Sequence, residues 1–160
     1  MTRVLVACLG GADEVLSAGA AIGQVSAHAE RLTLLVPTRA RAAAEVLPGV
    51  DDVIGYDGPC VERTPAGPRA ESVVDLIRSV RAGDHAMALI LGPPPPGPLP
   101  LALILRLAGV PWIAADRAGH PASLLDLCHQ PPGDPPQAER ARSLVEAAGF
   151  PPAAVRRTPC

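Results

Sequence analysis

The stretch Val4-Leu5-Val6-Ala7-Cys8-Leu9-Gly10-Gly11-Ala12-Asp13-Glu14 decides how the chain is read. Six apolar residues run without a polar interruption and stop at two glycines. An unbroken apolar run, unlike an alternating one, suits a strand of a parallel sheet covered on both faces. From Asp13 onwards the residues read as a helix, with Val15, Leu16, Ala20 and Ile22 on its apolar side. A strand, a small-residue turn and a helix in that order form one βα unit.

The unit recurs along the chain. Leu32-Thr33-Leu34-Leu35-Val36 reads as a second strand stopped by Pro37, and residues 38–47 as a helix closed by Pro48-Gly49. Asp52-Val53-Ile54-Gly55-Tyr56 is a short third strand, followed by a Gly- and Pro-rich loop over 57–70. Ser72 is placed to cap a helix carrying Val73, Val74, Leu76, Ile77 and Val80. Met87-Ala88-Leu89-Ile90-Leu91 is a fourth strand. Residues 92–98, with five prolines, suit neither helix nor ladder. A helix over 101–107 ends at Gly109, and residues 111–115 form a weaker fifth strand. After a second Pro/Gly loop at 130–136, a last helix spans 137–148 with Ala141, Leu144, Val145 and Ala148 inward. Alternating strands and helices at short spacing predict a Rossmann-like α/β fold. Its doubly wound, mostly parallel five-stranded sheet carries helices on both faces. Residues 1–150 are read as this domain and 151–160 as a flexible tail or interdomain linker.

Composition narrows the function. The 160 residues match one domain. Net charge is −2, and Tyr56, Trp112 and Phe150 are the only aromatics, so base-stacking platforms and nucleic-acid partners are not expected. All 14 cations are arginine; without lysine there is no Schiff-base or P-loop lysine chemistry. Cys8, Cys60, Cys128 and Cys160 form no C-x-x-C pair, which gives no zinc site and suits reduced thiols in a cytoplasm. Leu5-Val6-Ala7-Cys8 imitates a lipoprotein cleavage box, but the apolar run before Cys8 is shorter than the roughly 7–15 residues a signal needs. No apolar run reaches the roughly 18 residues of a membrane span.

Ligands of open parallel sheets bind beyond the carboxyl ends of the strands. The turn Gly10-Gly11-Ala12-Asp13-Glu14 lies there and is not G-x-G-x-x-G. Asp13 and Glu14 occupy the helix start, where they complement the field that would otherwise attract a pyrophosphate, so no dinucleotide cofactor is expected. A carboxylate at this place is suited to act as general base on a hydroxyl, or Asp13 is simply a helix cap. Arg39, after the second strand, is placed to meet an anion or to solvate a helix face. Asp116-Arg117 reads as a local ion pair. Cys128 and His129 are adjacent and point apart, which argues against a metal or nucleophile pair.

Several of these stretches resemble the ADP-heptose:lipopolysaccharide heptosyltransferase family, glycosyltransferase family 9. They are Arg3-Val4-Leu5-Val6 with Leu9-Gly10-Gly11-Ala12-Asp13-Glu14-Val15-Leu16, then Thr33-Leu34-Leu35-Val36-Pro37, and then Leu47-Pro48-Gly49-Val50-Asp51-Asp52-Val53-Ile54. Leu105-Arg106-Leu107-Ala108-Gly109-Val110-Pro111 and Glu139-Arg140-Ala141-Arg142-Ser143-Leu144-Val145 complete the series. The chain departs from the pattern at Ala12, where the family carries glycine, and at the proline run, where it carries polar residues. The resemblance implies the N-terminal, acceptor-side half of a GT-B fold, with Asp13 as catalytic base. Gly10, Gly11, Ala12, Glu14 and Arg39 would be substrate-binding, with no cofactor and no metal. It implies a nucleotide-sugar donor held by a domain this chain does not contain, a small-molecule or glycan acceptor, and a partner chain or homodimer. Two other readings use the same cleft: a stand-alone, non-catalytic flavodoxin-like binding or regulatory module, and one subunit of a split enzyme.

Overall fold

The computed structural model describes residues 2–61, 70–92, 97–116 and 123–152. Six strands form one sheet: β1 (Arg3–Ala7), β2 (Arg31–Val36), β3 (Asp52–Gly55), β4 (Met87–Ile90), β5 (Ile113–Asp116) and β6 (Leu127–His129). Every pairing is parallel, in the order β3-β2-β1-β4-β5-β6. The strand order changes direction between β1 and β4, the place where such sheets open a ligand crevice.

The period-2 alternation of side chains divides the core into two halves. Val4 and Val6 of β1 and Cys8 just after it point to one face, with Leu34 and Val36 of β2 and Leu89 of β4. Helices α1 (Ala12–Ser17), α2 (Gly19–Ser26), α3 (Arg41–Glu45) and α6 (Gln137–Ala147) cover that face through Val15, Ile22, Val25, Ala44, Leu144 and Val145. Leu5, Ala7 and Leu9 point to the other face with Leu35, Ala88 and Ile90. There α4 (Ala70–Gly83) and α5 (Leu99–Leu107) bring Leu76, Val80, Leu101 and Leu105. Both faces of β1 are therefore dry, which is why its sequence shows no polar alternation.

Several expectations are corrected. The sheet has six strands, not five. β6 has three residues, is only partly buried and carries one large apolar side chain, Leu127. Such a segment has no hydrophobic period, and its backbone pairing to β5 makes it a strand. The first helix is divided at Ala18, and its buried stripe runs Val15, Ala18, Ile22, Val25. Leu16 and Ala20, expected inward, are exposed: Leu16 lies one residue, about 100° of helical turn, past Val15, and Ala20 one residue before the buried Ala21. Residues 38–40 form a 3₁₀ turn ahead of α3 rather than a helix over 38–47. Ser72 lies inside α4, which begins at Ala70, and so does not cap it. The proline run at 93–96, most of the loop over 57–70, Arg117 and the tail from 153 lie outside the described residues. Among the described residues no helix is long and apolar enough to cross a membrane, and no group of three or more His, Cys, Asp or Glu could hold a metal ion.

Candidate functional site

A cleft of about 510 Å³ opens at the carboxyl ends of the strands, over the switch between β1 and β4. Its floor is the β1 exit, Leu9, Gly10 and Gly11, with Leu91 and Gly92 of the β4 exit beside it. Arg39, carried by the 3₁₀ turn after β2, forms one wall; Gln137 and Arg140 of α6 form the other. Glu14, in the first turn of α1, folds back over Gly10: a Cβ built on Gly10 would lie 1.4 Å from Glu14 Oε2. Gln137 Nε2 donates to Glu14 Oε2 at 3.5 Å, which links α1 to α6 across the floor. Gly92 has φ +69°, a conformation side chains rarely adopt, and a Cβ there would meet Gln137 Nε2 at 3.0 Å.

The sequence-selected residues therefore divide. Gly10, Gly11, Glu14 and Arg39 come together in the cleft. Asp13 and Ala12 are exposed in the same turn and are not part of its lining. Gly11, Asp13 and Glu14 share the start of α1, where Gly11 takes the cap position with extended backbone and no side-chain cap is made. Asp13 is thus not the helix cap; it lies one residue inside the helix. Cys8, directly before the floor, is buried, and burial pushes its thiol up to about 11, with the Glu14 charge adding to the effect. It stays a thiol at neutral pH and is no nucleophile.

A buried polar chain behind Arg140 had almost no signal in the sequence. Asp116, at the end of β5, is 5% exposed, and its Oδ1 lies 2.8 Å from His129 Nδ1 at the end of β6. His129 Nε2 lies 2.9 Å from Ser143 Oγ of α6. With Asp116 ionised and the ring neutral, Nδ1–H donates to the carboxylate and Nε2 accepts from the hydroxyl. The order Ser–His–Asp is that of a nucleophilic triad. Ser143, however, lies within α6, where helical bonding takes up its backbone N–H and leaves no oxyanion donor beside it. The chain instead ties β5, β6 and α6 together. Adjacency to Cys128 drew attention to His129 in the sequence, but its real partners lie 13 and 14 residues away.

Arg140 joins that chain to the cleft. Its Nη2 donates to Asp134 Oδ1 at 2.7 Å, and its Nε lies 3.9 Å from Asp116 Oδ2. Among the described residues Asp116 faces His129 and Arg140; Arg117, its expected partner, lies outside them.

Comparison with known proteins agrees with this architecture. No protein-family model and no curated protein sequence matches the chain. Among solved structures, the glycosyl transferase family 9 protein from Veillonella parvula superposes with TM-score 0.74 at 13% identity, over 94% of this chain and 42% of its own. The E. coli heptosyltransferase WaaC with ADP-2-deoxy-2-fluoro heptose gives 0.73 at 13% identity, over 96% and 50%. E. coli ADP-heptose lps heptosyltransferase II gives 0.64 at 18% identity, over 91% and 40%. The chain spans half or less of each of these proteins, and what it shares with them is a Rossmann-like α/β fold.

Proposed function

We propose that this chain is the acceptor-side domain of a heptosyltransferase-like glycosyltransferase, working with a nucleotide-sugar donor held by a further domain or a partner chain. The observation that carries the reading is the cleft at the β1/β4 switch, lined by Gly10, Gly11, Glu14 and Arg39, in a chain with this fold. Gly11, where an added Cβ would meet nothing, lets an acceptor approach the backbone closely, and Arg39 orients it. In the transfer step a carboxylate takes the proton of the acceptor hydroxyl. The hydroxyl oxygen bonds to the anomeric carbon as the bond to the nucleoside diphosphate breaks, and the diphosphate leaves with the electron pair. Asp13 is the proposed base, exposed at the mouth of the sheet. Glu14 is the second candidate, because its carboxylate rather than that of Asp13 lies in the lining.

Protein-observed NMR on the ¹⁵N-labelled chain tests the reading. Phosphorylated and acidic sugars offered as acceptors should bind and shift the Gly10, Gly11 and Gly92 amides, whereas nucleotide sugars alone should not. Tight nucleotide-sugar binding by this chain by itself would contradict it and favour a stand-alone binding module. In the assembled enzyme, Asp13→Asn should lower kcat by about 10²–10⁴-fold with the fold retained. An unchanged rate, with the loss appearing in Glu14→Gln, would move the base to Glu14.

A further inference from the structure

We infer that Arg140 contacts an oxyanion of the ligand in the cleft, and that Asp116, fixed by His129, is its positioning residue. The inference rests on the cleft being a ligand site and adds which group meets the ligand's charge and what holds it there.

Three observations converge on Arg140. It lines the cleft opposite Arg39, so its guanidinium is within reach of anything bound over Gly10 and Gly92. Among the described residues its one short ion pair is with Asp134, whose side chain is 95% exposed. A pair of that kind is worth little in water and is readily exchanged for another anion. Behind it stands Asp116, nearly sealed from solvent. One carboxylate oxygen of Asp116 is taken by His129, while the other, Oδ2, has no hydrogen-bond partner among the described residues. Arg140 Nε faces that oxygen at 3.9 Å, about 1 Å beyond bonding distance. A buried carboxylate with an unmet oxygen is costly unless a cation settles on it.

The arrangement describes two positions of one guanidinium. In one position, the one the structure shows, Nη2 is held by Asp134. With an oxyanion in the cleft, Nη2 leaves Asp134 for the ligand and Nε closes onto Asp116. The fork of N–H donors suits a carboxylate or a phosphate equally. The His129–Ser143 contact keeps the Asp116 carboxyl plane from turning as this happens.

The test uses the ¹⁵N-labelled full chain, titrated with inorganic phosphate and separately with citrate; the two arms distinguish phosphate from carboxylate recognition. Saturable shifts at Gly10, Gly11 and Gly92 are expected in at least one arm. Arg140→Gln should weaken binding about tenfold or more, the value of a charge-assisted hydrogen bond, and Arg140→Lys should recover part of the loss. Asp134→Ala should tighten binding by removing the competing carboxylate. Asp116→Asn should weaken it several-fold and add nothing when Arg140 is already glutamine, a coupling that a purely structural role would not produce. Ser143→Ala gives a milder perturbation of the same chain should Asp116→Asn fail to fold. Wild-type shifts in neither arm, unchanged affinity in Arg140→Gln, or additive losses in the double variant would overturn the inference. Arg140-dependent oxyanion binding without glycosyl transfer would leave it standing while removing the transferase reading.

Discussion

A Cβ on Gly10 would lie 1.4 Å from Glu14 Oε2, 2.2 Å from its Cδ and 2.8 Å from its Cβ, so rotation of the Glu14 carboxylate relieves only part of the overlap. Gly10→Ala should therefore cost about 1–3 kcal/mol of stability in urea unfolding. In the Glu14→Ala background the cost should shrink without vanishing, since the Cβ of residue 14 remains. His85 makes a second prediction at this scale. Its ring is buried, with Nδ1 3.1 Å from Val80 O and Nε2 3.0 Å from Thr33 Oγ1, contacts that a neutral ring satisfies. Burial holds its pKa below the ordinary 6.5. The unfolded chain thus takes up the proton first as pH falls. The stability His85 contributes is complete above about pH 6.5 and is lost as pH drops through the lower, folded value. Urea midpoints at pH 7.5 and pH 5 should show this slope, and His85→Gln should flatten it. Asp52 and Asp126 have carboxyls held below their ordinary value, Asp52 chiefly by its hydrogen bond from Arg31 and Asp126 by hydrogen bonds from Ile113 and Arg106. Both titrate in a more acidic window.

At the scale of elements, β6 is the strand whose existence depends most on other parts of the chain. Arg106 of α5 donates to the carbonyls of Leu124, Val110 and Pro111 and to Asp126 Oδ2 at 2.6 Å. Asp126 Oδ2 also accepts from the backbone N–H of Ile113 at 2.7 Å. One guanidinium and one carboxylate thus set where the chain enters β6, and the Asp116–His129 contact holds its far end. Arg106→Gln should cost roughly 1.5–3 kcal/mol, the range for hydrogen bonds to charged groups. Hydrogen exchange should show the loss concentrated in the amides of Leu127 and Cys128, with β1 and β2 protected as before. Loss of protection spread evenly over the sheet would mean that Arg106 supports the fold as a whole.

For the whole molecule, the cysteines report on how the core opens. Cys8 is sealed between sheet and helices with its thiol pushed up to about 11, and Cys128 is exposed on the edge strand. A thiol reagent at pH 8 should modify Cys128 quickly and Cys8 only at the rate of global unfolding, as read by mass spectrometry of labelled peptides. Fast labelling of Cys8 would mean that α1 and α2 detach locally. The layered parallel sheet itself was legible in the chain. Val4–Leu9 and Leu32–Val36 are continuous apolar runs because both of their faces are buried, and that requirement acts on every residue of a central strand. The turn Gly10-Gly11 and its acidic neighbours were legible for a related reason, since backbone shape and helix-start chemistry are local. Leu16 was misread because one residue of register decides a helix face, and packing sets that register. The sequence by itself determined five of the strands and their parallel layering, because hydrophobic pattern and turn chemistry act within a few residues. Only the tertiary structure decided that Glu14, not Asp13, lines the cleft, that β6 completes the sheet, and that Asp116, His129, Ser143 and Arg140 meet. Those outcomes depend on contacts between groups 13 positions apart (Asp116 and His129), 14 apart (His129 and Ser143) and 123 apart (Glu14 and Gln137), and no local pattern encodes the geometry that brings them together.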